Sequence, residues 1–557
     1  MRTGLFGAVS KEGASVSGAS LMAAGAWHCA FGLVVPAHRV QRAVLRRRSS
    51  TLYGLHGVWL NAPSEDWEGE SHADVVLETV SSPSSFEHVE GPLHGCSWNE
   101  DTHALLLHAD FARQHPLFWH LHPDGLLFAF SVDRLVELMK DNGLAVDPNP
   151  EGAAMLLTYG SILGDQTLVR GVHKLMPGCT LIWTPEGCRM EPRTALHQIP
   201  RDLRDEREAI EALDAAFNGS ILAMVEANRQ AQCVQHNLLS GGLDSRLVTL
   251  ATSRVEPGAS CLCFSAKGYL DHTLSERIAN DFALGYRFHD LSEGQYMMET
   301  ASVWEYDGCV NYLASAHHRA ALTKAVLPKL GLLASGQGAN VLLTDDHPWD
   351  ATGEEVLAGF EMYDGVLMLA KQPALAAWQS CPNPQVFKVL HRGFLYTNSG
   401  AYSTADFGVL WSPFTSQAFV QTALRLTPEL IRRQWVYLAW MAQRFPRALD
   451  YAWERYGVPP VQGWRLRLAQ VWAKVHAKLG KMWPVLAPQS MSPIQSWFES
   501  SPEIQDFYRK TFRQHREWLA LHPSVREAVE RDYETMSVMN KASVLTLLLA
   551  SKSWFEK

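Results

Sequence analysis

The stretch HNLLSGGLDSRLVTLATSR, residues 236–254, decides how the chain is read. Ahead of the break, CVQHNLL has the length and apolar content of a buried strand. The run then turns into Ser240-Gly241-Gly242-Leu243-Asp244-Ser245, and a helical pattern begins from Ser245. Two glycines let backbone N–H groups come close to an anion. A helix opening there adds unpaired N–H groups and the positive end of its dipole, which suits pyrophosphate. The hydroxyls of Ser240 and Ser245 add donors, and Asp244 is a carboxylate that can hold Mg²⁺ against phosphates. The loop lacks the Gly-Lys-Ser/Thr ending of a Walker A motif. A strand-to-helix turn using glycine for geometry and Asp or Ser as a cap is the plainer reading. Both serines and the aspartate, at these spacings after an apolar strand, favour a nucleotide loop.

Outward from this loop the pattern is regular. Residues 206 to about 229 have the apolar spacing of an amphipathic helix. Short apolar runs then alternate with helical ones: CVQHNLL, ASCLCFS, YRFHDL and LGLLASG are the strands, with SERIANDFAL among the helices. That alternation is the signature of a parallel sheet with crossover helices. Residues 1 to about 190 read differently. HALLLHAD, PLFWHLH, GLLFAFS and CTLIWTP, each bounded by Gly, Pro, Asp or Asn, predict antiparallel strands, with short helices at 132–141 and 150–159. The charged run PRDLRDERE reads as a linker entering the next helix. From about 355 onward the chain is tryptophan-rich and mostly helical, and no internal repeat or low-complexity tract occurs. The fold class expected is α+β followed by α/β, with domains at 1–195 and 206–557.

Composition narrows the function classes. A chain of 557 residues has length for two or three domains and sizeable cores. With 47% hydrophobic and 19% charged residues it has the make-up of a soluble globular protein, and a net charge of −9 argues against a nucleic-acid binder. The run Arg46-Arg47-Arg48 reads as a solvated face. The nine cysteines are scattered without a Cys-x-x-Cys pair, so neither a zinc site nor a disulfide framework is indicated. An odd count fits a reducing cytosol. The start, MRTGLFGAVSKEG, lacks the apolar stretch of a signal peptide. The apolar segment 21–37 is interrupted by His28 and Pro36 and is too short to span a bilayer, and SVLTLLLAS near the C-terminus is shorter still. A cytoplasmic protein is expected, with no nucleic-acid and no membrane partner.

The loop LLSGGLDSRL resembles the PP-loop of ATP pyrophosphatases, and most of all that of the asparagine synthetase family. Other segments agree in order. LLLHADFARQHPLFWHLHPDGLLFAFSVDRLVEL resembles the family's strand with Asp-x-x-Gly-x-x-Pro-Leu-Tyr-Tyr and the strand–helix segment after it. TLVRGVHKLMPGCTLIW resembles its leucine-proline-proline-glycine element, and LGLLASGQGANVLL falls where the family carries a second glycine-rich phosphate loop. WSPFTSQAFVQTALRL resembles the helical segment that follows. The resemblance covers most of residues 95–460, patchily. It implies an N-terminal amidotransferase-like (Ntn-type) β-sandwich and a C-terminal doubly wound PP-loop ATP pyrophosphatase domain with helical additions. It also implies ATP and Mg²⁺, cleavage to AMP and pyrophosphate, and an acyl-adenylate attacked by an amine.

The departures from the family are informative. Glutamine-dependent members carry a cysteine directly after the initiator methionine; here that position is Arg2, and the first cysteine is Cys29. Without that thiolate, ammonia is not freed from glutamine by this route. In this the chain resembles the β-lactam synthetases and the lasso-peptide macrolactam cyclases, which close an amide within one substrate. In SGQGANVLL, Gln337 stands where asparagine synthetases carry glutamate and β-lactam synthetases tyrosine, near the acceptor amine. A glutamine orients and hydrogen-bonds but is no general base. Asn340 stands at the family's Mg²⁺-binding aspartate, with Asp345 or Asp346 as a substitute.

The site that the resemblance implies therefore has Ser240, Gly241, Gly242, Leu243, Asp244, Ser245, Ser335, Gly336 and Gly338 around ATP and pyrophosphate. Asp244 and Asn340 would meet the metal, and Gln337 with Asp244 would serve catalysis. A buried strand turn of small residues is the plainer reading of the second loop. Arg465, Arg467, Lys474 and Lys478 are candidates for the family's phosphate-stabilising lysine, though charges on a helix are usually a solvated face. FPRALDYAWERYGVPP resembles the cyclases' segment just before that lysine, and CLCFSAKG lies where backbone contacts to adenine are expected. Trp435, Trp440, Trp453 and Trp464 read as core or interface, and His236, Asn237, His317 and His318 as packing or surface groups. The function expected is an ATP-dependent amide-bond-forming ligase without glutaminase activity. Its expected substrate is a ribosomal peptide closed to a lasso-type macrolactam, with a leader peptidase and precursor peptide as partners. Amidation of a small acid or a surface-polysaccharide sugar acid is one alternative, and a non-catalytic scaffold is the other.

Overall fold

Short apolar runs punctuated by Gly, Pro, Asp and Asn become strands in the N-terminal half, as a half-buried antiparallel sheet requires. The structure is a computed structural model that describes residues 3–11, 16, 19–24, 27–34, 40–62, 70–344, 350–461, 463–472 and 491–556. Its strands are β1 (Gly4–Ser10), β2 (Ala19–Ala24), β3 (Trp27–Val34), β4 (Arg42–Arg48), β5 (Thr51–Gly57), β6 (Leu93–Asn99), β7 (Ala104–His108), β8 (Phe118–His122), β9 (Gly125–Ala129), β10 (Val172–Lys174), β11 (Cys179–Thr184) and β12 (Gly187–Pro192). They form two six-stranded sheets, ordered β10-β8-β9-β1-β3-β2 and β12-β11-β7-β6-β5-β4. One apolar core draws on residues of both sheets, among them Leu5, Phe31, Leu107, Phe128 and Leu181. The Arg46–Arg48 run is exposed on β4, at the edge of its sheet, where charge discourages pairing with another chain.

Helix boundaries follow from local capping. Ser131 accepts from the Arg134 N–H to open the helix Val132–Asp141. Asn149 caps the next helix, Pro150 sits at its first turn, and left-handed Gly160 ends it at Tyr159. Both helices match the expected limits. The C-terminal helix Val538–Phe555, which contains SVLTLLLAS, is buried on nearly all sides and shares the core with these two N-terminal helices. No helix among the described residues is long and apolar enough to cross a membrane.

Past the linker, Asp205 caps the helix Glu206–Gln230, whose Ile210, Leu213, Phe217, Ile221 and Met224 are buried at helical spacing. It leads into five parallel strands: β13 (Val234–Leu238), β14 (Ser260–Ser265), β15 (Gly285–Asp290), β16 (Leu330–Ala334) and β17 (Val409–Trp411). Their order is β15-β14-β13-β16-β17, with every pairing parallel. From β13 the chain winds outward through β14 to β15, then returns to β13's other side and winds outward again. The reversal falls between β13 and β16. In open α/β sheets that is where ligands bind, beyond the carboxyl ends of the strands.

The halves are joined by a turn in the N-terminal one. Buried Asp110 accepts N–H bonds from Ala112, Gln114 and His115. The turn so formed presents Arg113, which donates to Tyr402 Oη at 3.0 Å, and Gln114, which donates to the Leu410 carbonyl at 3.1 Å. Asn398 donates back to the Ala112 carbonyl. This turn lies within the ADFARQHPL segment that carries part of the family resemblance.

Burial sets the acid stability of the fold. Burial lowers His108 and His391 to about 3 and His317 and His522 to about 4. Unfolded imidazoles take up protons near pH 6.5, so the stability these groups give is present above about 6.5 and is lost as pH falls. Burial raises Asp110 and Asp244 to about 6, and their contribution runs the other way, fading as pH rises through 6. The histidine shifts are larger and more numerous, so they govern the acid limb. The melting temperature is expected to decline steadily between about pH 6.5 and 4.5; a flat profile there would contradict neutral, buried imidazoles.

Candidate nucleotide site

The glycine loop after β13 is held by its own side chains. Ser240 donates its N–H to Ser245 Oγ at 3.0 Å, and Gly242 donates its N–H to Ser240 Oγ at 3.1 Å. The Gly241 N–H goes to Asp271 Oδ1 at 2.7 Å. The helix begins at Leu243, two residues before the expected Ser245, with Gly242 as its cap and no side-chain capping bond. Among the described residues, the first-turn N–H groups of Leu243, Asp244 and Ser245 therefore have no protein acceptor. These are the donors that an anion seeks at a helix N-terminus.

Arg246, fully buried one turn into the helix, fixes the loop's position. Its guanidinium donates to the carbonyls of Gly241 (2.7 Å), Ala448 (2.7 Å), Ala452 (2.8 Å) and Tyr451 (3.3 Å). It thereby ties the loop to the segment 448–452 and brings Glu454 against the two glycines. A Cβ on Gly241 would lie 3.1 Å from Glu454 Cβ, and one on Gly242 would lie 3.8 Å from Glu454 Oε1. Asp244 Oδ1 accepts from Tyr437 Oη at 2.7 Å.

Three carboxylates thus face the loop, and each is harder to ionise than usual. Burial raises Asp244 to about 6, against the Tyr437 hydrogen bond, which lowers it. Burial raises Asp271 too. Glu454 is pushed to about 7 by burial, then by the charge of Asp271, and its buried Oε2 has no hydrogen-bond partner. A helix N-terminus favours a carboxylate by about 0.3–1 kcal/mol, so at Asp244 desolvation is the stronger effect. Withdrawn negative charge of this kind is what a divalent cation neutralises. The carboxylate oxygens are spread around the loop, however, and among the described residues only His56, His94 and His115 bring ligand atoms within 4.8 Å of one another.

The second glycine loop follows β16 and lies directly on the first. A Cβ on Gly336 would stand 2.4 Å from the Ser245 nitrogen and 2.6 Å from the Asp244 carbonyl carbon. Ser335 is buried, and its hydroxyl accepts the Gln337 N–H at 3.2 Å. Gly338 has φ +101°, and a Cβ there would lie 2.9 Å from Thr415. The half-buried Gln337 has its carbonyl held by Ser412 Oγ, and its amide approaches Gly400 together with the His318 ring. Asn340 is exposed on the short helix Ala339–Leu342, and Asp345 and Asp346 lie outside the described residues. The structure thus brings Ser240 to Ser245 together with Ser335, Gly336, Gln337 and Gly338, and turns Asn340 outward. Arg2, Lys474 and Lys478 also lie outside the described residues; Arg465 and Arg467 are exposed on the helix 464–472.

No family model and no curated protein matches the chain. Among solved structures it is similar to the glutamine phosphoribosylpyrophosphate (PRPP) amidotransferase from B. subtilis complexed with ADP and GMP, at 10% identity. That match covers 58% of this chain and 69% of the other, with a TM-score of 0.20.

Several residues of the site were not singled out in the sequence. Arg246 lies inside the quoted loop, and Glu454 inside FPRALDYAWERYGVPP, so both sat in stretches that carried the resemblance. Asp271 and Tyr437 carry no local signal. His318 is buried and His317 half-buried, with His318 Nδ1 lacking a partner beside Gln337, whereas His236 is a satisfied core group bonded to Ser260 and Pro328. The His56–His94–His115 cluster, with His56 and His94 opposed on β5 and β6, was also missed. Leu5 donates its N–H to His94 Nε2 at 3.1 Å, which puts the neutral ring's proton on Nδ1 and leaves neither nitrogen with a lone pair for a metal.

Gly336→Ala is expected to lower stability by about 1–3 kcal/mol, because its Cβ would meet backbone rather than a movable side chain. Gly187→Ala is the control, since a Cβ there meets nothing within 4 Å. Equal melting temperatures for the two variants would refute the close contact between the loops.

Proposed function

We propose that the protein is an ATP-dependent amide-bond-forming ligase. The observation that carries this reading is the meeting of two glycine loops at the carboxyl ends of β13 and β16, at the sheet's reversal point, over a helix N-terminus whose first N–H groups have no acceptor. Those N–H groups and the hydroxyls of Ser240 and Ser245 would hold phosphate oxygens. Asp244 and Glu454 would hold Mg²⁺, which supplies charge neutralisation for the departing pyrophosphate; their raised pKa values fit that role. A substrate carboxylate attacks the α-phosphate, pyrophosphate leaves, and an amine takes the acyl group with loss of AMP. Gln337 would orient the acceptor amine, and the neutral His318 ring beside it has a nitrogen able to take the amine's proton. A peptide macrolactam remains the preferred product, on the resemblance to the cyclases.

The decisive experiment follows pyrophosphate release from ATP and Mg²⁺ in wild type and Asp244→Asn. A leader-cleaved candidate peptide is offered in one set, and small acids with ammonia in another. Release with the peptide alone, falling about a hundredfold or more in the variant, is expected. Release with a small acid and ammonia would move the reading to an amidating synthetase.

A second reading has an observation of its own. The N–H groups of Ser240, Gly241 and Gly242 are already satisfied by Ser245, Asp271 and Ser240, as a purely structural turn would have them. Calorimetry with ATP and Mg²⁺ separates the two readings: absence of binding would favour a non-catalytic scaffold. For the ligase, Mg·ATP affinity is expected to rise between about pH 6 and 7.5, as Asp244 and Glu454 lose their protons and become able to hold the cation. Affinity independent of pH across that window would remove both carboxylates from the metal.

A further inference from the structure

The helix 464–472 is inverted relative to a normal surface helix. Leu466 is buried in the core, while Trp464 is 67% exposed, Leu468 50%, Val471 59% and Trp472 62%. At about 100° per residue Trp464, Leu468 and Val471 share an arc of about 60° on the face opposite Leu466. Arg465 and Arg467 flank that arc on either side, both exposed. The outward face is therefore apolar with basic borders, the reverse of what water selects. Half-exposed Trp435 lines the cavity beside this helix, its indole N–H donating to Glu206.

Charge reinforces the pattern. The helix carries Arg465 and Arg467 and no Asp or Glu, in a chain whose net charge is −9. Beside the helix lies a cavity of about 570 Å³ lined by Arg432, Arg433, Arg467, Gln470, Trp435 and Glu429. At its rim Arg433 and Gln434 both adopt left-handed backbone, with φ of 55° and 60°, a conformation that costs non-glycine residues energy and collects at binding sites. A locally cationic face with projecting tryptophans and a basic basin beneath it matches an anionic, partly apolar surface.

We propose that this face docks on an anionic lipid bilayer, with Trp464, Leu468 and Val471 entering the interface and the arginine-lined basin receiving lipid phosphate. Arginines bordering an apolar arc, with tryptophan at its edge, are what an in-plane interfacial helix uses, and the attraction depends on lipid charge. The binding is peripheral, so it needs no spanning helix, and it departs from the expectation of no membrane partner. It is independent of the chemistry proposed for the glycine loops.

The test is flotation of the full chain with vesicles of phosphatidylcholine alone or mixed equally with phosphatidylglycerol, at low and high salt. Wild type is expected to float with the mixed vesicles only and to be released by salt. Arg465→Gln with Arg467→Gln is expected to weaken binding by about thirtyfold, and Leu468→Gln with Val471→Gln by about tenfold, both with melting temperatures within a few degrees of wild type. Failure of folded wild type to bind the mixed vesicles at low salt would overturn the proposal, as would equal binding by both variants. Self-association lost in the same variants, without vesicle binding, would assign the face to a second copy and overturn it equally.

Discussion

The candidate site depends first on one buried cation. Arg246 carries its guanidinium out of contact with water and donates from Nη1 and Nη2 to four backbone carbonyls, one in the glycine loop and three in the segment 448–452. Burial lowers its pKa to about 10, still far above neutrality, so the charge remains and those hydrogen bonds are of the stronger, charge-assisted kind. Segments about two hundred residues apart in sequence are thereby held in one register. Only in that register does Glu454 lie against Gly241 and Gly242, and only then does the site contain the second of its carboxylates with a markedly raised pKa. Replacing the arginine by an apolar residue would leave those carbonyls without donors inside the protein, at about 1–3 kcal/mol for each that water cannot reach.

The loop's electrostatics follow from the same enclosure. A helix N-terminus and its unpaired N–H groups favour negative charge, while the surrounding chain withdraws Asp244, Asp271 and Glu454 from water and disfavours it. Burial is the first cause of the raised pKa at each of the three, and mutual repulsion adds to it at Glu454. Arg246 lies near enough to lower Glu454, yet its hydrogen bonds all go to carbonyls, so the carboxylates keep a deficit of positive charge. In the proposed function, a divalent cation carrying phosphate would answer both needs together, neutralising the carboxylates while its anionic partner met the N–H groups.

The local parts of this arrangement were legible in the sequence because they are made by neighbours. Strand, glycine loop and helix are consecutive, so apolar content and residue type revealed them, and the two N-terminal helices expected at 132–141 and 150–159 have those limits in the structure, where Ser131, Asn149 and Gly160 cap them. Alternation of strands and helices revealed the parallel sheet. Its fifth strand, β17, has only three residues, too few for a periodicity to register, and it arrives after a long helical excursion. Asp271 and Tyr437 reach the loop from distant segments and look like ordinary helix residues where they stand. Helices between 502 and 555 pack with Val132–Asp141 and Pro150–Tyr159, a long-range association that no linear pattern expresses. Exposed Trp464 was read, with Trp435, Trp440 and Trp453, as core or interface because their spacing is partly helical. Which way the helix 464–472 faces is set by where Leu466 finds its core, and spacing alone does not contain that.

The loop's internal hydrogen bonds and its proposed task are compatible for a physical reason. Polar groups in a folded interior are paired in whatever state the protein rests, so a phosphate cradle awaiting its ligand finds substitutes among its own side chains. Asp271 is such a substitute: its carboxylate presents to the Gly241 N–H an anionic oxygen at 2.7 Å, as a phosphate would. The exchange replaces one charged acceptor by another, and Asp271, whose ionised form burial disfavours, loses little on release if it takes up a proton or meets a cation. Gly336 imposes the remaining condition. With its backbone lying on Asp244 and Ser245, entry of a phosphate requires the second loop to lift, and a glycine without Cβ contacts is the residue best able to do so. A phosphate that displaced Asp271 from the first loop would also have to part the second from it.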